Sequence, residues 1–270
     1  MMKYSLIKYS LQVIVMLAFF SKAFGFSSLP KQAMQLKPQQ INLSGEIVSF
    51  SMPENFRADM PAKDMIKSVN LWDKSVFENY REFTLIQRWW DFKGKGFFAK
   101  GYGTVMMTMY IKQAPENSEY DILNPLGFIG TIITNFNDIN RNENEAPSNS
   151  YPIFYEAYKI QTINSLHWFR YSVESNITGR LDINHAIPIT PQHYIVVEFA
   201  FAPNDGVPTR QFIEEHGRPH MDAIMNTFTI QFSAGSKLPS INSQPIDLDK
   251  LINEKFHTGE EVKFIGFEEP

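Results

Sequence analysis

The stretch from His193 to Phe232 constrains the fold more than any other, because its apolar spacing changes period twice. Ile195, Val197, Phe199 and Phe201 alternate with Tyr194, Val196, Glu198 and Ala200, which is strand periodicity. Both faces are rich in apolar residues, as in a central strand covered on two sides. Pro203-Asn-Asp-Gly206 supplies turn chemistry. Thr209 then reads as an N-cap, Gly217 as the end of a first helix and Pro219 as the start of a second. Met221, Ile224, Met225 and Phe228 form a helical stripe, after which Phe228, Ile230 and Phe232 alternate as a last strand.

The rest of the chain supplies more sheet and one more helix. Residues 26–44 read as a polar leader and Ile47 to Met52 as the opening strand. Pro61 to Tyr80 has helical spacing with a break near Leu71-Trp72. Phe83 to Phe92 and Thr104 to Lys112 read as strands, the second with Val105, Met107, Met109 and Ile111 on one face. The Gly-rich run between them, Lys93 to Gly103, reads as a hairpin loop or bulged strand. Asn124 caps a helix with Pro125 at its first position, and Ile129, Ile132, Ile133, Phe136 and Ile139 face the sheet, with Gly127 and Gly130 permitting close packing. Asn137 to Ser150 is a polar loop. Phe154 to Ile163 and His167 to Glu174 pair across Asn164-Ser165, Leu181 to Pro191 is a longer connection, and residues 234–270 are a C-terminal extension. The expected fold class is α+β, with one antiparallel sheet flanked by helices over residues 45–233.

Two pieces resemble a known family. Met225-Asn-Thr-Phe-Thr-Ile-Gln-Phe232 is similar to the helix-into-strand end of PsbP-like domains, and Gly45-Glu-Ile-Val-Ser-Phe-Ser-Met-Pro-Glu-Asn-Phe56 resembles their opening strand. The resemblance implies a PsbP-like outline and an exported, mostly non-enzymatic binding or accessory role. Some bacterial toxin-immunity proteins look like this as well.

Composition narrows the compartment and the chemistry. Met1 to Lys8 is a basic n-region, Leu11 to Phe20 a short apolar core, and Ala23-Phe-Gly25 a small-x-small site, which predicts a signal peptide cut after Gly25. The apolar run is too short to remain as a membrane anchor. With no cysteine, disulfides, thiolate metal sites, a cysteine nucleophile and a bacterial lipoprotein anchor are excluded. Removing Lys3, Lys8 and Lys22 leaves 22 basic against 29 acidic residues, a net of −7, with no basic face for nucleic acid.

No cofactor is expected. Gly94-Lys-Gly-Phe-Phe-Ala99 matches a dinucleotide fingerprint by letter only, because Gly101 and Gly103 would spoil the helix that must come next. No Gly-Lys-Ser/Thr closes a phosphate loop. His216 and His220, with Glu214, Glu215 and Asp222 near, are the one metal-like cluster, and Gly217 and Pro219 interrupt the helix it would need. His167, His185, His193, Asp182 and Ser172 contain the letters of a hydrolytic triad without a nucleophile elbow. Glu214-Glu215 and Glu143/Glu145 read as solvated surface. Trp89, Trp90, Phe97, Phe98 and Tyr102 gather around the Gly-rich run. Adjacent aromatics on a strand point to opposite faces, so some of them should meet solvent and form a protein-binding surface. The expected function is an exported, non-catalytic protein-binding module, most concretely a periplasmic immunity or inhibitor protein acting on a toxic effector enzyme. The alternatives are an envelope accessory or assembly factor and a secreted hydrolase.

Overall fold

The computed structural model describes residues 34–57, 60, 63–77, 81–94, 100–114, 121–125, 127–132, 150–151, 159–175, 181–234 and 236. The expected signal peptide, the loop 137–149 and nearly all of the C-terminal extension lie outside these residues. The chain divides into two units, 1–35 and 36–270. The strands of the second unit, in order, are β1 (Leu36–Leu43), β2 (Glu46–Pro53), β3 (Ser68–Val69), β4 (Glu82–Lys93), β5 (Gly101–Gln113), β6 (Ser150–Tyr151), β7 (Lys159–Ile163), β8 (Leu166–Ser175), β9 (Leu181–Pro188), β10 (His193–Pro203) and β11 (Thr229–Gln231). Helix α1 includes residues 125 and 127–132. After β10 come α2 (Thr209–Phe212), a π-turn (Ile213–Gly217) and α3 (Arg218–Met225). Among the described residues, no helix is long and apolar enough to cross a membrane.

The class is mixed α and β, and among the described residues there are two sheets rather than the one expected. The larger runs β4-β5-β10-β9-β8-β6, with β7 also paired to β8, and the smaller runs β11-β2-β1-β3. β10 is central, hydrogen-bonded to β5 on one side and β9 on the other, both antiparallel. Its Ile195, Val197, Phe199 and Phe201 join a core with Val105, Met107, Met109 and Ile111 of β5, and with Phe50, Met221, Met225 and Phe228. Its Tyr194 and Val196 join a second core on the opposite face, with Phe128, Ile129 and Ile132 of the α1 segment. Phe228 ties the first core together, stacking on Phe50 at 4.9 Å and meeting Trp168 edge-on at 5.5 Å.

Several expectations are corrected. The supposed leader contributes β1: Ile41 and Leu43 are fully buried and pair with Val48 and Glu46. Pro38 fits this strand because β3 reaches only Asn42 and Leu43, which leaves Pro38 on an edge where a missing N–H costs no ladder bond. Residues 63–77 contain no α-helix. They form irregular chain, β3 and a 3₁₀ turn, Lys74–Phe77. Lys63, Ile66 and Arg57 bond to the backbone of Gln87, Leu85 and Trp89, so this chain covers the outer edge of β4, where unpaired ladder groups would otherwise face solvent. A register shift between Thr84 and Ile86 lets the consecutive Leu85 and Ile86 both point inward, each fully buried.

The connection expected over Leu181 to Pro191 is mostly β9, which lies between β8 and β10. Gly217 does not end a helix. Its backbone is helical (φ −67°, ψ −54°), and the Arg218 N–H bonds the Ile213 carbonyl five residues back. The widened turn stands directly before Pro219, which has no N–H to give and whose ring presses on the carbonyl four residues earlier. Gly217 is required there by space, because a Cβ would run into the Phe201 ring. Thr209 is not the cap, since Pro208 holds that position without a side-chain bond. Asn124 does cap α1, its Oδ1 accepting from the Gly127 N–H at 3.4 Å. Gly127 makes room for the Asp121 backbone rather than for the sheet.

Candidate functional site

The β4–β5 hairpin carries the aromatic cluster, and pleating separates its members. Trp89 and Trp90 pair with Met106 and Val105 and point to opposite faces. Trp90 is buried at 4 % exposure, with its indole N–H on the Pro53 carbonyl at 3.4 Å and its ring 4.7 Å from His220. It is a core residue, which corrects its placement on a partner surface. Trp89 and Tyr102 are half-buried, and Phe97 and Phe98 lie outside the described residues. Tyr102 stacks on His216 at 4.6 Å, while Phe92 lies 5.7 Å from His216 and 5.3 Å from His220. The end of the hairpin stem is thereby clamped to the π-turn and α3 by ring packing.

That packing accounts for the two histidines expected as a metal-like pair. His220 is 3 % exposed, and burial pushes its imidazole down to about 4. Burial also lowers His216, against the opposing pull of Glu215. Glu214 pairs with Arg218 at 3.2 Å and Glu215 accepts from Gln211 at 3.1 Å, both along the helix surface. Among the described residues, no three His, Asp or Glu side chains converge as metal ligands.

The triad letters do not meet either. Arg170 pairs with His185, so Ser172 and His185 share the face that carries Trp168 and Ile183. Asp182 pairs with Val173 and Ala200 and faces the other way. Odd spacing along β9 makes this unavoidable. His193 is occupied by Thr190, whose Oγ1 lies 2.9 Å from Nδ1, and His167 sits 3.0 Å from Thr162 Oγ1 across the β7–β8 pair.

A polar row crosses the α1-side face of the large sheet and was not legible in the sequence. Gln87, Thr108, Glu198, Asn184 and Tyr171 are successive register partners across five strands. Thr108, Asn184 and Tyr171 are buried, and so is the neighbouring Asp182. Gln87 reaches Thr108 Oγ1 at 3.4 Å. Tyr110 stands beside the row; burial first, then Glu198, pushes its phenol far above the ordinary value. The available signals were Glu198 inside an apolar strand and Asp182 and Asn184 alternating with Leu181 and Ile183.

No protein-family model, curated protein or solved structure matches the chain.

Proposed function

We propose that the chain is an exported, non-catalytic binding protein of PsbP-like outline, most concretely a periplasmic immunity or inhibitor protein that neutralises an effector enzyme. The observation that carries this reading is the clamped hairpin. Tyr102 and Phe92 are fixed on His216 and His220, which gives a stem held rigid beside the half-exposed Trp89. A preorganised aromatic surface loses little entropy on binding, and aromatic anchors dominate interfaces. The sequence between the two strands adds Phe97 and Phe98 to the proposed anchors. Support also comes from the histidines, which serve as ring partners in packing, and from the separation of Ser172 and His185 from Asp182 by the sheet. An envelope accessory role uses the same surface and differs only in the partner.

The test is capture by residues 26–270 of envelope and secreted proteins from the native organism, followed by purification of the partner. The expected result is one stoichiometric partner that loses an enzymatic activity when bound. Trp89→Ala should weaken that complex by about tenfold or more while the fold persists. Undiminished binding by Trp89→Ala would move the interface elsewhere. A hydrolytic activity of the purified chain itself would overturn the non-catalytic reading.

A further inference from the structure

Period two calls for an apolar residue in the middle of β4, between Ile86 and Trp90 on the side of the main core, and the sequence places Arg88 there. Arg88 pairs with Met107 of that core and is 7 % exposed. A buried charge needs an ion pair and filled hydrogen bonds. Arg88 has its hydrogen bonds on one side only. Its Nη1 donates to the Lys63 carbonyl at 2.7 Å and to the Gln87 carbonyl at 2.9 Å, which uses both hydrogens of that nitrogen. The Phe56 ring lies over the guanidinium face, 4.5 Å from Cζ, and is itself partly exposed.

The side edge of the guanidinium is different. Nε is buried and has no hydrogen-bond partner among the described residues. Nη2, which shares that edge, stands 3.7 Å from Asp64 Oδ1, beyond hydrogen-bond reach. The Asp64 side chain is fully exposed, so it approaches Nη2 from solvent, and this edge opens at the surface rather than into the core. Burial disfavours the Arg88 charge, and Asp64 is the carboxylate that opposes this among the described residues. The edge therefore lacks an acceptor with two oxygens side by side and one negative charge, which describes a carboxylate. A phosphate dianion would bring further charge and oxygens against Phe56 and the Asp64 carboxylate.

We propose that Arg88 and Phe56 form a binding site for a small carboxylic acid with an apolar body. Its two carboxylate oxygens accept from Nη2 and Nε in the side-on fork, in the place that the exposed Asp64 side chain now approaches. Its apolar body lies against the exposed part of Phe56. Arg88 and Trp89 are adjacent on β4 and point to opposite faces, so the site stands apart from the proposed protein-binding surface.

The experiment is a titration of the full chain with benzoate, acetate, benzamide and inorganic phosphate at matched ionic strength, following the Arg88 Nε–H by ¹H–¹⁵N NMR. The expected result is a saturable shift with benzoate, with benzamide and phosphate weaker by about tenfold or more and acetate in between. Asp64→Asn changes a fully exposed residue, should keep the fold, and should tighten benzoate by about two- to fivefold because the competing carboxylate is gone. Phe56→Ala should bring benzoate to the affinity of acetate. An unmoved Nε–H, a response to benzamide or phosphate equal to that of benzoate, or benzoate binding unchanged in Asp64→Asn would overturn the site.

Discussion

Acidification from about pH 7 to about pH 5 should lower the stability of this fold by several kcal/mol, and three histidines set the size of the effect. His185 and His193 are fully buried and His220 nearly so. Burial pushes His185 down to about 3 from its ordinary 6.5, helped by Arg170 and Lys159. Burial alone pushes His193 and His220 down to about 4. The hydrogen bonding at His193 agrees with a neutral ring. Thr190 Oγ1 accepts from the backbone N–H groups of Gln192 and His193, so its own proton is directed at Nδ1. The ring packs against Trp72 and Phe77, and its buried Nε2 has no hydrogen-bond partner among the described residues.

Linkage sets the sign. Below 6.5 the unfolded chain takes up protons that the folded chain refuses, so stability is present above 6.5 and falls with pH toward the folded values. At about pH 5 each group contributes about 2 kcal/mol of destabilisation, about 6 kcal/mol together. That is of the order of a whole domain's stability of about 5–15 kcal/mol. Asp222 acts in the opposite direction, because burial raises its carboxyl and so offsets part of the loss, against the pull of Arg218, Arg170 and Lys159. Urea unfolding at fixed ionic strength across this range is the assay, with a steepest slope of about 4 kcal/mol per pH unit for three protons. His220→Phe keeps an aromatic ring between Trp90 and Phe92 and should lower that slope by about a third. A flat stability between about pH 7 and about pH 5, or an unchanged slope in His220→Phe, would refute the reasoning.

Three further outcomes are expected. Gly217→Ala should destabilise the fold by about 1–3 kcal/mol, because the new Cβ meets the Phe201 ring; an unchanged thermal melt would show that the π-turn can shift. Leu43→Ala should cost about 2–5 kcal/mol in urea unfolding if β1 belongs to the core, and close to nothing if these residues were an exposed leader. Trp90→Ala should cost about 3–5 kcal/mol in the same assay, more than Trp89→Ala, since only Trp90 lies in the main core; equal costs would contradict the assignment of faces.

Local pattern alone determined the elements whose burial is one-sided or complete. β5 and β10 were legible because every second residue, or nearly every residue, is apolar along their whole length. The stripe of α3 and the Asn164-Ser165 hairpin were legible for the same reason, the latter with both turn residues at positive φ (49° and 65°). β1 escaped because only its last part is buried, so Lys37, Pro38, Gln39 and Gln40 dominate its composition. β9 escaped because its inward positions include Asp182, Asn184 and His185, which burial makes possible only once β8 and β10 flank them. Residues 63–77 had helical spacing, yet their apolar groups are used by irregular chain covering β4.

The candidate sites divide in the same way. Residue types around the Gly-rich run pointed to an aromatic hairpin, but which tryptophan is buried depends on the cores that β4 meets on each face. The opposition of Ser172 and His185 to Asp182 is a consequence of register, and so is the polar row from Gln87 to Tyr171. Side-chain direction alternates within one strand and can be read from a sequence; which strands become neighbours, and in what register, is decided by contacts between residues far apart in the chain.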